Sequence, residues 1–164
     1  MNATEIQYKL LEWRRAGVLP RLLIGQDTFT VDGELKELRL EGDPSRCISL
    51  DNLPLGDGAR HYLCFYSLKD KCLVTIPENI TRMPEGIVLL HIPIEHILDP
   101  VGVARSYGQP DTFMLDIYPI KASHRALVIP AAESGLPELI RINREKKQQR
   151  GLCRLFRKRT GKGI

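Results

Sequence analysis

The chain lacks most of the features that mark a secreted, membrane-spanning or metal-built protein. Its opening residues, Met1-Asn2-Ala3-Thr4-Glu5-Ile6, have no cationic stretch leading into an apolar run, so a secretory signal is not expected. The most apolar run, 86–93, falls well short of the roughly 20 residues that cross a bilayer. Cysteine is scarce: Cys47, Cys64, Cys72 and Cys153 are separated by 17, 8 and 81 positions, which fits neither zinc-ligand spacing nor a CxxC redox pair. Free thiols in a cytoplasmic chain are the expectation. Cys64 and Cys72 then read as small buried apolar residues rather than as a bridge across a hairpin.

Catalytic and cofactor signatures are equally thin. Gly56-Asp57-Gly58 lacks the third glycine and the helix start of a phosphate-binding loop. There is no GxSxG elbow, and Ser45, Ser49 and Ser67 have no base patterned around them. His91 and His96 flank Ile92-Pro93-Ile94-Glu95. In an extended chain they point to opposite faces, and Pro93 forbids a regular helix joining them. No metal and no cofactor is therefore expected. The densest cluster of reactive types is Arg105, Tyr107, Asp111, Asp116, Tyr118, Lys121, His124 and Arg125. It supports the alternative of a small enzyme with a site at 105–125, which requires His124, an aspartate and an arginine to converge in a concave pocket.

What is present is ordinary in bulk and uneven in distribution. At 164 residues, 43% apolar and 27% charged, the chain has the size and balance of one folded domain. Its formal charge of +4 conceals a split. Residues 1–140 carry 14 Lys/Arg against 19 Asp/Glu, a net of −5, whereas 141–164 carry ten cations against Glu145 alone, a net of +9. The ten are Arg141, Arg144, Lys146, Lys147, Arg150, Arg154, Arg157, Lys158, Arg159 and Lys162. So dense a block repels itself, and an extended basic tail is expected unless a polyanion neutralises it.

Local patterns outline the body. Thr4 and Gln7 have the spacing of a capping box, and Ile6, Leu10 and Trp13 follow helical spacing up to a stop at Gly17. Trp13 is expected to dock this helix on the core. Asp32-Gly33 between β-forming runs predicts a two-residue hairpin turn pairing Val31 with Glu34 and Phe29 with Lys36. Phe29, Val31, Leu38 and Leu40 then share one face, and a bulge near Gly25 accounts for the opposite parity of Leu22 and Ile24. Asp43-Pro44 reads as a turn before a short strand at 47–50.

A second hairpin is predicted over 61–66 and 72–76, its first arm apolar or aromatic on both faces and so central. Three apolar runs, 73–77, 89–93 and 127–130, end in Ile-Pro, where the missing amide stops a ladder. Asp99-Pro100 opens a short helix closed near Gly108, 111–118 is helix or strand, and Pro137 opens a helix with Leu136, Leu139 and Ile140 inward. The order of elements predicts an α+β domain over 1–140: a mainly antiparallel sheet of hairpins with an N-terminal helix and C-terminal helices on one face, followed by a basic helix end and tail over 141–164.

The functional expectation follows from the charge. It is a non-enzymatic accessory or interaction protein whose tail contacts nucleic acid while the body engages another protein. Gly151-Leu152-Cys153-Arg154-Leu155-Phe156-Arg157-Lys158-Arg159 interleaves apolar and cationic residues, which leaves a peripheral attachment to anionic membranes as a further alternative.

Overall fold

The computed structural model describes residues 1–160. Helix α1 (Ala3–Arg15) begins two residues earlier than a cap at Thr4 suggests. Asn2 accepts from the Glu5 amide at 2.9 Å, and the Glu5 carboxylate accepts from the Asn2 amide at 2.9 Å, a reciprocal capping box. Gln7 bonds the backbone of Ile120 in both directions, at 2.8 and 2.9 Å, and so ties α1 to a distant segment. The buried face runs through Leu11 and Arg14. Trp13 is 55% exposed, so its expected docking is overturned: the helix is rotated by about one residue. Gly17 ends the helix at a φ of +95°, a conformation glycine reaches without strain.

Strands β1 (Arg21–Ile24), β2 (Asp27–Asp32), β3 (Glu37–Leu40) and β4 (Asp43–Ser49) form an antiparallel meander. Gly25 sits in a tight turn between β1 and β2, with Ile24 opposite Asp27, where a bulge was expected. The β2–β3 register also differs. Val31 pairs with Leu38 and Phe29 with Leu40, because Asp32 accepts from the amides of Glu34 and Leu35 and closes a longer turn. The register moves by four residues, an even number, so the same four side chains still face the core. Asp43-Pro44 lies within edge strand β4 rather than in a turn, a place where proline costs no ladder bond.

The second sheet contains β5 (His61–Ser67), β6 (Cys72–Val74), β7 (Ile87–Pro93) and β9 (Leu127–Pro130), in the order β6-β5-β7-β9. Between β7 and β9 come helices α2 (Glu95–Leu98) and α3 (Pro100–Ser106), a run of turns at 111–117, and strand β8 (Ser123–Arg125). Strand β8 pairs parallel with β1 and completes the first sheet as β4-β3-β2-β1-β8. β8 and β9 are separated by Ala126 alone, and Arg46 of β4 donates to the carbonyl of Asp70 beside β6, so the two sheets are joined along both flanks.

Between them lies the main core: Leu22, Ile24, Phe29, Val31, Leu38, Leu40, Ile48 and Leu50 from the first sheet, and Tyr66, Val88, Leu90 and Ile92 from the second. Phe29 and Tyr66 meet edge to face at 6.4 Å, a favoured aromatic geometry. The fold is α+β and dominated by antiparallel hairpins, but it uses two sheets where one was expected.

The last helix, α4 (Leu136–Thr160), overturns the extended tail. It continues unbroken through most of the basic segment, and Lys162 lies outside the described residues.

Candidate nucleic-acid interface

Helix α4 is held at one end only. Ser134 accepts from the Leu136 amide at 3.2 Å, and Pro137 occupies the first turn, where its missing amide costs nothing. Leu136 and Ile140 pack on Ala131, with Phe65, Ile76, Ile80 and Leu139 around them. Asn143 then donates to the carbonyls of Glu78 and Ile80, both at 2.8 Å, and Arg144 donates to the carbonyl of Thr81 at 2.8 Å. Beyond this clamp, residues 145–159 are all exposed. A helix of this length is marginal alone because nucleation is costly. Here the docked turns supply the nucleus, and Lys, Arg, Gln and Leu propagate it well.

The cations fall into distinct groups. Arg141 is engaged by Glu138 at 2.6 Å and Glu145 at 2.5 Å, and the two carboxylates hold its guanidinium even more firmly protonated than usual. Glu138 is held below its ordinary carboxylate value by the same pairing. Arg144 is tethered to the Thr81 carbonyl through its Nε. Lys146, Lys147, Arg150, Arg154, Arg157 and Lys158 recur at three- and four-residue spacing and therefore share one side of the helix. Arg159 lies on the other side. Among the described residues, no carboxylate is within ion-pair distance of Lys146, Lys147, Arg150, Arg154, Lys158 or Arg159. The nine cations of 141–159 are thus divided by geometry, where the sequence presented them as equivalent.

The segment 78–82 enlarges the cationic side. A polar cleft of 510 Å³ lies between it and α4, lined by Glu78, Asn79, Thr81, Asn143, Lys146, Lys147 and Arg150. A neighbouring hollow brings Arg82 beside Arg144, Lys147 and Gln148, and another follows Arg150, Arg154 and Arg157 outward. Arg82 was not legible as part of this surface, because it lies far from α4 in sequence and only the Asn143 and Arg144 clamp brings it there. The chemistry on offer is a row of hydrogen-bond-donating cations at a spacing of roughly 5–6 Å, suited to an array of phosphates.

The competing cluster at 105–125 behaves differently. Arg105 donates to Asp111 through Nε at 2.8 Å and Nη2 at 3.0 Å, and Arg15 reaches the same carboxylate at 3.2 Å. These pairs depress the Asp111 carboxyl. The expected helix or strand at 111–118 is a chain of turns instead, exposing Phe113 and Ile117.

His124 is 9% exposed on β8 opposite Leu22, with its Nε2 unpartnered. Burial, with Lys121 nearby, lowers its basicity. It lies close enough to Asp99 to feel its charge, and Asp99 is itself committed to Arg14 at 3.0 Å and to the amides of Gly33 and Gly102 at 2.9 and 3.2 Å. A cavity bordered by Arg14, Lys121 and Ala122, but by neither His124 nor Asp99, holds 30 Å³, room for about one water. Arg14, Asp99, Gly33 and Gly102 thereby join α1, the β2–β3 turn and α3. Gly33 and Gly102 approach Asp99 so closely that neither has room for a Cβ.

No family model matches the chain, and no match was found among curated proteins or solved structures. The surface must speak for itself. Among the described residues, no helix is long and apolar enough to cross a membrane, and no group of three or more His, Cys, Asp or Glu could hold a metal.

Proposed function

We propose that this protein is a non-enzymatic accessory or interaction protein that binds nucleic acid through the cationic side of α4. The observation that carries the reading is the alignment of Lys146, Lys147, Arg150, Arg154, Arg157 and Lys158 along one side of a solvent-exposed helix. The row adjoins Arg82, and among the described residues no carboxylate is within ion-pair distance of Lys146, Lys147, Arg150, Arg154 or Lys158.

The electrostatics favour a polyanion twice over. Lys146–Arg150, Arg150–Arg154 and Arg154–Lys158 are like-charged pairs four residues apart, each working against the helix. Phosphates placed along the row relieve that repulsion, so binding stabilises the outer half of α4 by linkage. Contacts of this kind fix position on the backbone and carry no base sequence. An α-helix also fits the major groove of a duplex, so the cations can meet phosphates without unfolding.

Seven contacts, the six on α4 and Arg82, set a salt slope near −6 on a log–log plot for duplex DNA. Arg141 and Arg159 contribute little, being paired or turned away, and Arg144, tethered through Nε to the Thr81 carbonyl, lies off the row although it keeps its charge. The test is binding of full-length protein to DNA and RNA of unrelated sequence across a range of salt, beside a chain ending at Gln149. Full-length protein should bind all of them with a steep slope, and the shortened chain should retain about −3, from Lys146, Lys147 and Arg82. Absence of salt-sensitive binding to either polymer defeats the proposal.

A further inference from the structure

The outer face of the second sheet is only partly covered. Phe65 packs under Leu136 and Ile140 of α4, and beside it the same face opens into an apolar groove of 420 Å³, lined among others by Leu53, Leu63, Phe65, Val74 and Leu89. Helix α4 meanwhile changes its apolar side along its length. Leu136, Leu139, Ile140 and Asn143 face its own body. Leu152 and Leu155 lie roughly 140° further round, at 3.6 residues per turn. They are 57% and 62% exposed, and Phe156 continues the patch. On the inner half, that outward side carries the Glu138–Arg141–Glu145 ion pairs instead.

The geometry points to a second copy of this chain as the occupant of the groove: a reciprocal dimer in which Leu152, Leu155 and Phe156 of each α4 enter the groove of the other copy. Apolar residues at i, i+3 and i+4 are the pattern by which a helix fills such a groove. Charge favours this pairing over others, because the helix belongs to a segment of net +9 and the groove to a body of net −5. The same charge opposes stacking of two α4 helices by their cationic sides.

Continuity supports it as well, since Phe65 belongs both to the seat of α4 and to the groove, so the partner's helix lies alongside the resident one. The change of side along α4 then has a purpose: its inner half rests on its own sheet and its outer half meets the partner's sheet from the opposite direction. Each copy gives a helix and receives one, which closes the assembly at two. The cationic row lies on the opposite side of α4 from Leu152 and Leu155, so the apolar contact leaves it uncovered and nucleic-acid binding does not depend on the dimer, although the dimer doubles the row.

Sedimentation equilibrium of the full chain tests this, beside Leu152→Glu/Leu155→Glu on the helix and Val74→Glu on edge strand β6. Circular dichroism and urea melts confirm that each variant is folded. The wild type should pass from monomer to dimer as concentration rises, and either variant should weaken the dimer about 30-fold or more. A chain that stays monomeric up to about 100 µM, or a dimer unchanged in both variants, overturns the inference. So does a monomer that floats with phosphatidylserine vesicles through Leu152 and Leu155. The salt slope of duplex binding, measured on the same variants, is expected to survive in their monomers, so failure here is separable from failure of nucleic-acid binding.

Discussion

In the body, Arg14 is 5% exposed, bonded through two nitrogens to Asp99 at 3.0 Å, and fixed between three chain segments. On the outer half of α4, Arg150 and Arg154 stand one turn apart in solvent, with no described carboxylate within ion-pair distance. The same side-chain chemistry serves opposite ends. A buried guanidinium must be paired because desolvation of a lone charge is costly, so the buried Arg14 is matched within the body by Asp99. An exposed one carries no such penalty, and a row of them leaves its potential available to a partner. The contrast teaches that a count of charges does not tell which individual cations can act, since pairing and burial decide that.

The comparison breaks most sharply at Asp99. Asp99→Ala should strand Arg14 and the amides of Gly33 and Gly102, at a cost of about 3–5 kcal/mol by urea denaturation. Removing Arg150 or Arg154 should leave the urea midpoint unchanged. Gly102→Ala is the next largest. A methyl group there meets Asp99 and the Glu34 amide, and overpacking of this kind costs about 1–3 kcal/mol. Gly151→Ala on the outer half meets nothing within 4 Å and should raise helicity by circular dichroism, because glycine is a poor helix former.

A smaller effect separates the regions by pH. Burial, then Lys121, lowers the basicity of His124, while a hydrogen bond to the Leu98 backbone pulls the other way. Its folded value therefore lies below the unfolded one, near 6.5. The unfolded chain takes up the proton first as pH falls, so stability declines below about pH 6.5 and is regained above it. Burial and His61 depress His91 in the same direction, so His124→Gln should flatten the decline in urea midpoint without abolishing it. Helix α4, whose outer half has no histidine, should keep its affinity for duplex DNA across the same window, apart from any loss through global unfolding.

Much of the body was legible because its signals are local. The Asp99-Pro100 helix start, the Ile-Pro strand ends and the alternation at 29, 31, 38 and 40 each follow from chemistry confined to a few residues. The misreadings share a different cause. Trp13 and the β2–β3 register were misjudged because distant partners decide them: Asp99 draws Arg14 inward and claims Gly33. The parallel β1–β8 pair joins residues about a hundred positions apart, and no short pattern records it. In the candidate site, the cations of 141–159 were visible as a block, but neither the approach of Arg82 nor the division among Arg141, Arg144 and the row from Lys146 to Lys158 was. That division depends on helical phase and on a clamp by residues 78–81.

The decisive measurement compares two triple substitutions of equal charge in duplex binding across salt. Arg150→Ala/Arg154→Ala/Lys158→Ala removes three cations from the exposed row. Arg125→Ala/Arg141→Ala/Arg159→Ala removes three from outside it. The first should make the salt slope shallower by about 3 and the second by less than about 1. Equal losses in both would show that bulk charge, and not the aligned side of α4, governs binding, and would contradict the division of cations described above.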